Sequence, residues 1–225
     1  GRGVIHFIGL FYDCNVHSHI DHLKAMVSQA KLEGVKTVRI HALLDGRDVP
    51  ETSALDYVVP FETFLAGLSS DGFDARIASG GGRQNITMDR YDANWSMVEK
   101  GWKTHVLGQG PQFANANAAV NGLRAQHPGT IDQDLPEFVI AQDGQPIGTI
   151  EDGDSVVFYN FRGDRAIEIT RAFVEVDFNR FDRVRTPDVT YAGMLQYDGD
   201  LQFPKRFLVT PPAIMDTSGE WFSKA

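Results

Sequence analysis

Asp154-Ser-Val-Val-Phe-Tyr-Asn-Phe-Arg162-Gly-Asp-Arg165 is the stretch that decides how this chain reads. Residues 156–161 are β-branched and aromatic, the composition of a buried strand, and the run stops at a guanidinium. A helical pattern follows from Asp164 through Ala166, Ile167, Ile169, Ala172 and Phe173. On a helix, positions i and i+3 share a face. Arg162 and Arg165 would then point at one spot beyond the strand's carboxyl end, where ligands of open α/β sheets bind. Two planar forks aimed at one place suit a carboxylate or a phosphate. A pair of solvated surface arginines is the alternative.

Upstream, strand and helix alternate. A strand over residues 4–11 precedes a helix over about 19–31, with Leu23, Met26, Val27 and Ala30 at helical spacing and Gly34 closing it. A second strand, 37–44, ends in Asp45-Gly46-Arg47-Asp48. A helix over 53–68 stops at Ser70-Asp71-Gly72, and 75–78 is a third strand. This is the pattern of a parallel α/β layer. Residues 89–124 read as mostly helical, interrupted at Gly108-Gln-Gly-Pro111. Phe138-Val-Ile-Ala141, Asp143-Gly144 and Pro146-Ile-Gly-Thr-Ile150 read as a β-hairpin turning at Asp-Gly. A late strand spans 189–195, and 216–225 looks like a helix still in progress. The expected fold is α/β, a largely parallel sheet flanked by helices with an added β-hairpin. The expectation is a single domain over 1–225, excised from a longer protein.

The length of 225 residues supports an ample core, and the apolar fraction of 42% is that of a globular protein. The formal net charge of −9 argues against nucleic acid or an anionic membrane as the main partner. Among the 21 basic residues arginine outnumbers lysine two to one. Several of these arginines stand at strand ends or beside glycines. An acidic protein with locally concentrated arginine suggests a small anionic ligand in a pocket. No apolar run is long enough to span a bilayer. Cys14 is the only cysteine, which excludes an internal disulfide and favours a reducing, cytoplasmic setting.

Four strand ends carry polar clusters. In Asp13-Cys14-Asn15-Val16-His17-Ser18-His19, with His22 close behind, three histidines invite a metal reading. Against it, no second helical histidine pair has ligand spacing. In Asp45-Gly46-Arg47-Asp48 the glycine permits a tight turn that exposes Arg47 and Asp48 together. A carboxylate beside an anion-binding arginine is a candidate general base; a locally stabilised Asx turn is the alternative. In Ser79-Gly80-Gly81-Gly82-Arg83, three glycines after a strand would let backbone amides approach a ligand, with Arg83 and, further on, Arg90 adding charge. Arg162 and Arg165 form the fourth cluster. If the strands are parallel neighbours, all four loops converge on one rim.

In this order, Val16-His17-Ser18-His19, Leu44-Asp45-Gly46-Arg47-Asp48, Gly82-Arg83 with Met88-Asp89-Arg90, and Asn160-Phe161-Arg162-Gly163-Asp164-Arg165 closely resemble the cofactor-independent phosphoglycerate mutases. The similarity runs on through Asp182-Arg183 to the closing residues 216–225. The resemblance implies a two-domain enzyme. One domain is phosphatase-like and carries a serine nucleophile and two divalent metals, manganese or magnesium. The other is an inserted α/β phosphotransferase domain, which this chain resembles. It implies 2-phosphoglycerate and 3-phosphoglycerate as substrates, no 2,3-bisphosphoglycerate requirement, and no metal bound by this chain. The partner would be the phosphatase-like domain of the same chain, in a cytoplasmic monomer.

Carried over residue by residue, His17, Arg47, Asp48, Arg83, Arg90, Arg162 and Arg165 would contact substrate. Asp48 would shuttle a proton to and from the glycerate hydroxyls, and His17 would hydrogen-bond phosphoryl or hydroxyl oxygens. The sequence departs from the family's usual Ser-Asp-Gly-Gly or Ser-Asp-Gly-Asn at Tyr12-Asp13-Cys14-Asn15, which puts the turn before His17 in question. Gln84-Asn-Ile-Thr87 departs from the commoner aromatic version. Two other readings stand beside this one: a metal-dependent hydrolase using His17, His19 and His22, and a non-catalytic binding module for small phosphorylated acids.

Overall fold

The computed structural model of the protein describes residues 3–70, 72–210, 215 and 218–224. The expected strands lie in one sheet. β1 (Ile5–Leu10) is central, paired in parallel with β2 (Thr37–Leu44) on one side and with β7 (Ser155–Phe158) on the other. β3 (Asp74–Gly82) extends the sheet in parallel beyond β2, and β8 (Thr190–Gly193) beyond β7. β1 and β2 are buried along nearly their whole length, because helices cover both faces of the sheet.

Side-chain alternation along the strands divides the core in two. Phe7, Val38, Ile40, Ala75 and Ile77 face α1 (Ile20–Leu32), α2 (Ala54–Leu68) and α4 (Ala116–Gln126). Ile8, Leu10, Leu43, Val156 and Phe158 face α3 (Trp95–His105) and α5 (Ile167–Val174). The chain leaves β1 toward β2 and later returns on β1's other side as β7. The carboxyl ends of β1 and β7 therefore flank a topological switch point. The last helix, α6, spans Ser218–Lys224, so the expected helix over 216–225 is partly seen; residues 216, 217 and 225 lie outside the described residues. Among the described residues no helix is long and apolar enough to cross a membrane.

One expectation is refined and two need correction. The hairpin exists, turning at Asp143 and Gly144 with φ of 53° and 76°, but it is not simply appended. Its first strand, β5 (Phe138–Gln142), enters the main sheet antiparallel to β3 and also pairs with the short β4 (Gln112–Phe113); only β6 (Gln145–Pro146) stands off. Second, the glycines after residue 79 are not a loop. They continue β3, pairing with β2 as far as Leu44 opposite Gly82. A Cβ on Gly80 would collide with the Ala42 carbonyl and the Phe138 ring, and one on Gly82 with the backbone of Gln133. The glycine run makes room for neighbouring backbone rather than for a ligand. Third, no α-helix begins at Arg162. Its backbone is extended (φ −85°, ψ 124°), a 3-10 turn spans Gly163–Arg165, and α5 starts only at Ile167. Gly163 packs against Tyr197, where a Cβ would come within 3.1 Å of the carbonyl oxygen.

Candidate functional site

The loops that leave β1, β2, β3 and β7 meet at the carboxyl end of the sheet. The β1 loop is fastened from below. Ser18 Oγ donates to the Leu10 carbonyl, and the His17 amide donates to the buried Tyr12 hydroxyl at 2.8 Å. Tyr12, a departure from the family pattern, is thus what holds His17 in place. The His17 carbonyl in turn accepts from the Phe161 amide at 2.7 Å, which ties the β1 loop to the β7 loop.

Arg83 lies at the centre and is 2% exposed. Its Nη1 donates to Asp45 Oδ1 at 2.6 Å and to Asp48 Oδ2 at 2.8 Å, and its Nη2 donates to His17 Nε2 at 2.9 Å. One guanidinium thus joins the loops after β1, β2 and β3. Burial works against its charge, but Asp45 and Asp48 outweigh burial and raise its pKa. Burial likewise works against ionised Asp45, yet Arg83 and the Arg47 and Asp48 amides hold its carboxyl below the usual range. Asp45 Oδ2 accepts from the amides of Arg47, Asp48 and Val49, so the Asx-turn reading holds for Asp45 itself. Asp48 is left to face the rim.

Because a guanidinium has no acceptor, His17 Nε2 must be the acceptor, and the ring proton sits on Nδ1. Burial and then the neighbouring Arg83 push the His17 pKa down to about 4, so the ring is neutral at pH 7. Its Nδ1 lies 3.7 Å from Asp164 Oδ1 and has no hydrogen-bond partner. An unpaired buried polar atom of this kind calls for a functional explanation.

The two arginines of the β7 loop differ. Arg162 is exposed and ion-paired through Nε to Asp164 Oδ1 at 2.9 Å. Arg165 is 6% exposed, and its Nη1 donates to the Met88 carbonyl at 2.6 Å. Burial lowers the Arg165 pKa, and so do the nearby charges of Arg83, Arg90 and Arg47. Arg47 and Arg90 are exposed, Arg90 lying 5.4 Å from the centre of the Tyr91 ring. The seven expected residues therefore share one rim, five of them arginines. Their crowding of like charge is what an anion would relieve.

Asp45, Tyr12 and Asp164 are participants that reading the sequence for site residues misses. Asp45 stands inside a site motif, but in sequence it shows only as part of the turn. Tyr12 shows only as a departure. The 17–22 histidines do not form a ligand set: His17 is bonded to Arg83, while His19 Nδ1 caps α1 by accepting from the Asp21 amide at 3.1 Å. Among the described residues no three His, Cys, Asp or Glu side chains are grouped to hold a metal ion. A 650 Å³ cavity beside Leu65, Ile77 and Ile140 and a 400 Å³ cavity beside Asp13, His19 and Tyr57 include none of the seven rim residues.

Residues 1–199 match the family model described as the BPG-independent PGAM N-terminus. The chain is 62% identical over 224 residues to a probable 2,3-bisphosphoglycerate-independent phosphoglycerate mutase of Leptospira interrogans; the match covers all of this chain and 41% of that protein. It is 51% identical over 218 residues to the 2,3-bisphosphoglycerate-independent phosphoglycerate mutase of Trypanosoma brucei brucei, covering 96% of this chain and 40% of the relative. A crystal structure of Leishmania mexicana phosphoglycerate mutase at low cobalt concentration superposes with a TM-score of 0.94 at 48% identity, over 99% of this chain and 41% of that one. The chain thus spans about two fifths of the length of the curated relatives it matches. It belongs to the family of BPG-independent phosphoglycerate mutase N-terminal domains.

Proposed function

We propose that this chain is the substrate-binding phosphotransferase domain of an enzyme that interconverts 3-phosphoglycerate and 2-phosphoglycerate. The phosphoryl group would be carried in between on a serine of a phosphatase-like domain of the same longer chain. The observation that carries the reading is the Arg83 hub, where one buried guanidinium binds Asp45, Asp48 and His17 among four further arginines. Phosphoryl transfer needs positioning and charge neutralisation more than a reactive protein group, and this rim supplies both.

In this reading Arg162 and Arg165 hold the substrate's carboxylate or phosphate through guanidinium forks, and Arg47 and Arg90 add exposed charge. His17, with its proton on Nδ1, donates toward a phosphoryl or hydroxyl oxygen. Asp48 takes the proton of the attacking glycerate hydroxyl and returns one to the other hydroxyl. The rim's histidine and carboxylates are committed to Arg83 and to backbone amides, which does not suit a metal. Two divalent ions, manganese or magnesium, therefore belong in this proposal to the phosphatase-like domain, and no step is routed through them here. A monomeric cytoplasmic enzyme without a 2,3-bisphosphoglycerate requirement completes the reading; the names of the relatives support its last part.

The test is calorimetric titration of this chain with 3-phosphoglycerate, alongside an interconversion assay with manganese present. Binding without turnover is expected. Turnover by the pure chain would overturn the division of labour. Binding unaffected by Arg47→Ala and Arg90→Ala together would move the substrate elsewhere.

A further inference from the structure

Six buried polar side chains form one hydrogen-bonded file across the sheet face that α3 covers. His6 Nε2 lies 3.1 Å from Asp154 Oδ2, and His6 Nδ1 lies 2.9 Å from His41 Nε2. His41 Nδ1 lies 2.7 Å from Ser79 Oγ, which lies 2.8 Å from His105 Nδ1. His105 Nε2 lies 2.9 Å from Thr87 Oγ1. None of the six is more than 5% exposed. An irregularity in β3 completes the file. Ile40 pairs with Ile77 but His41 with Ser79, so Ala78 is an extra residue that brings Ser79 alongside His41.

The proton order in the file has a single solution. Asp154, its carboxyl held low by the His6 bond against the cost of burial, only accepts. His6 therefore donates from Nε2, which leaves its Nδ1 to accept from His41 Nε2. His41 Nδ1 then accepts from the Ser79 hydroxyl, Ser79 accepts from His105 Nδ1, and His105 Nε2 accepts from Thr87. Every donor points toward Asp154. Burial lowers the pKa of all three histidines, consistent with neutral rings.

The far end of the file is a strained residue. Thr87 has φ +68°, a conformation that β-branched side chains rarely adopt. Its amide donates to the Met97 carbonyl at 2.9 Å, and glycine at 101 in α3 leaves it room. The next residue, Met88, supplies the carbonyl that holds Arg165. Arg83 precedes this turn and Arg90 follows it.

We propose that Thr87 is the positioning residue of the arginine rim: its hydroxyl, gripped by the file that starts at Asp154, holds the left-handed turn that presents the Met88 carbonyl to Arg165 and spaces Arg83 from Arg90. The inference rests on the rim being the anion site only for its effect on binding; its structural content stands apart from that reading.

Thr87→Val removes the hydroxyl at constant shape, and Thr87→Ser restores it. Both are made in this chain and followed by the ¹⁵N-correlated signals of the histidine rings and arginine side chains, and by titration with 3-phosphoglycerate. In the parent chain His6 and His41 should carry their protons on Nε2 and His105 on Nδ1. Thr87→Val should shift the Arg83 and Arg165 signals and weaken binding about tenfold, and Thr87→Ser should bring both back to within about twofold. Unmoved arginine signals in Thr87→Val, equal damage from Thr87→Ser, or a His105 proton on Nε2 would each overturn the proposal. If the parent chain does not bind phosphoglycerate, the anion-site reading fails while the arginine signals still decide this one. If Thr87→Val does not fold, Ser79→Ala cuts the file further in; unchanged Arg165 signals there would overturn it equally.

Discussion

Arg83 donates to His17 Nε2 at 2.9 Å across 66 positions of sequence, and that bond exists only while the imidazole is neutral. The folded protein holds the His17 pKa at about 4 and that of the buried His105 at about 3, against an ordinary 6.5. As pH falls below 6.5 the unfolded chain takes up these protons first. Stability is therefore fully present above about pH 6.5 and declines as pH falls toward 4. Within that window each histidine contributes a slope of up to about 1.4 kcal/mol per pH unit. Urea unfolding midpoints between pH 7 and pH 5 measure this; a flat profile would contradict the buried neutral histidines.

Arg83 should be the rim residue most costly to lose. Arg83→Ala leaves Asp45 and its neighbour Asp48 without their shared partner, and breaking a buried pair by removing one member costs about 3–5 kcal/mol. Arg83→Lys keeps a charge but loses the fork that reaches Asp45, Asp48 and His17 together, so it should recover only part. Chemical denaturation of the two variants checks both statements.

The arginines of the β7 loop should separate by their effects. Arg162→Ala removes an exposed side chain and should change stability by no more than about 0.5 kcal/mol. Arg165→Ala also deletes the charged hydrogen bond to the Met88 carbonyl, worth roughly 1.5–3 kcal/mol. Both should weaken phosphoglycerate binding. Melting and titration run together make the comparison; equal melting losses would show that Arg165 is not the core-anchored member.

Two glycines should respond in opposite directions to alanine. Gly80→Ala drives a methyl into the Ala42 carbonyl and the Phe138 ring, and overpacking of this kind costs about 1–3 kcal/mol or more. Gly67 lies in α2, and a methyl group there would meet nothing within 4 Å, so Gly67→Ala should stabilise by up to about 1 kcal/mol. Thermal melting of both variants is enough, and a neutral Gly80→Ala would mean that β3 and β5 are more loosely packed than the structure has them.

The layer order and the rim are written in the sequence. Apolar periodicity is local, so β1, α1, β2 and α2 are legible within a residue or so, and ordered short motifs pick out His17, Arg47, Asp48, Arg83, Arg90, Arg162 and Arg165. What depends on contacts distant along the chain emerges only on folding. β5 enters the sheet antiparallel because β3 offers it an edge, which a hairpin pattern does not reveal. The glycines after Ser79 lie in a strand because Phe138 and Gln133 crowd them, and glycine runs look alike in loops and in tight packing. Arg162 and Arg165 differ in burial because the backbone turns at Gly163 and the Met88 carbonyl arrives from 77 positions away. His17 is a neutral, single-tautomer imidazole because Arg83 meets it in space, and a protonation state belongs to an environment that only the folded chain supplies.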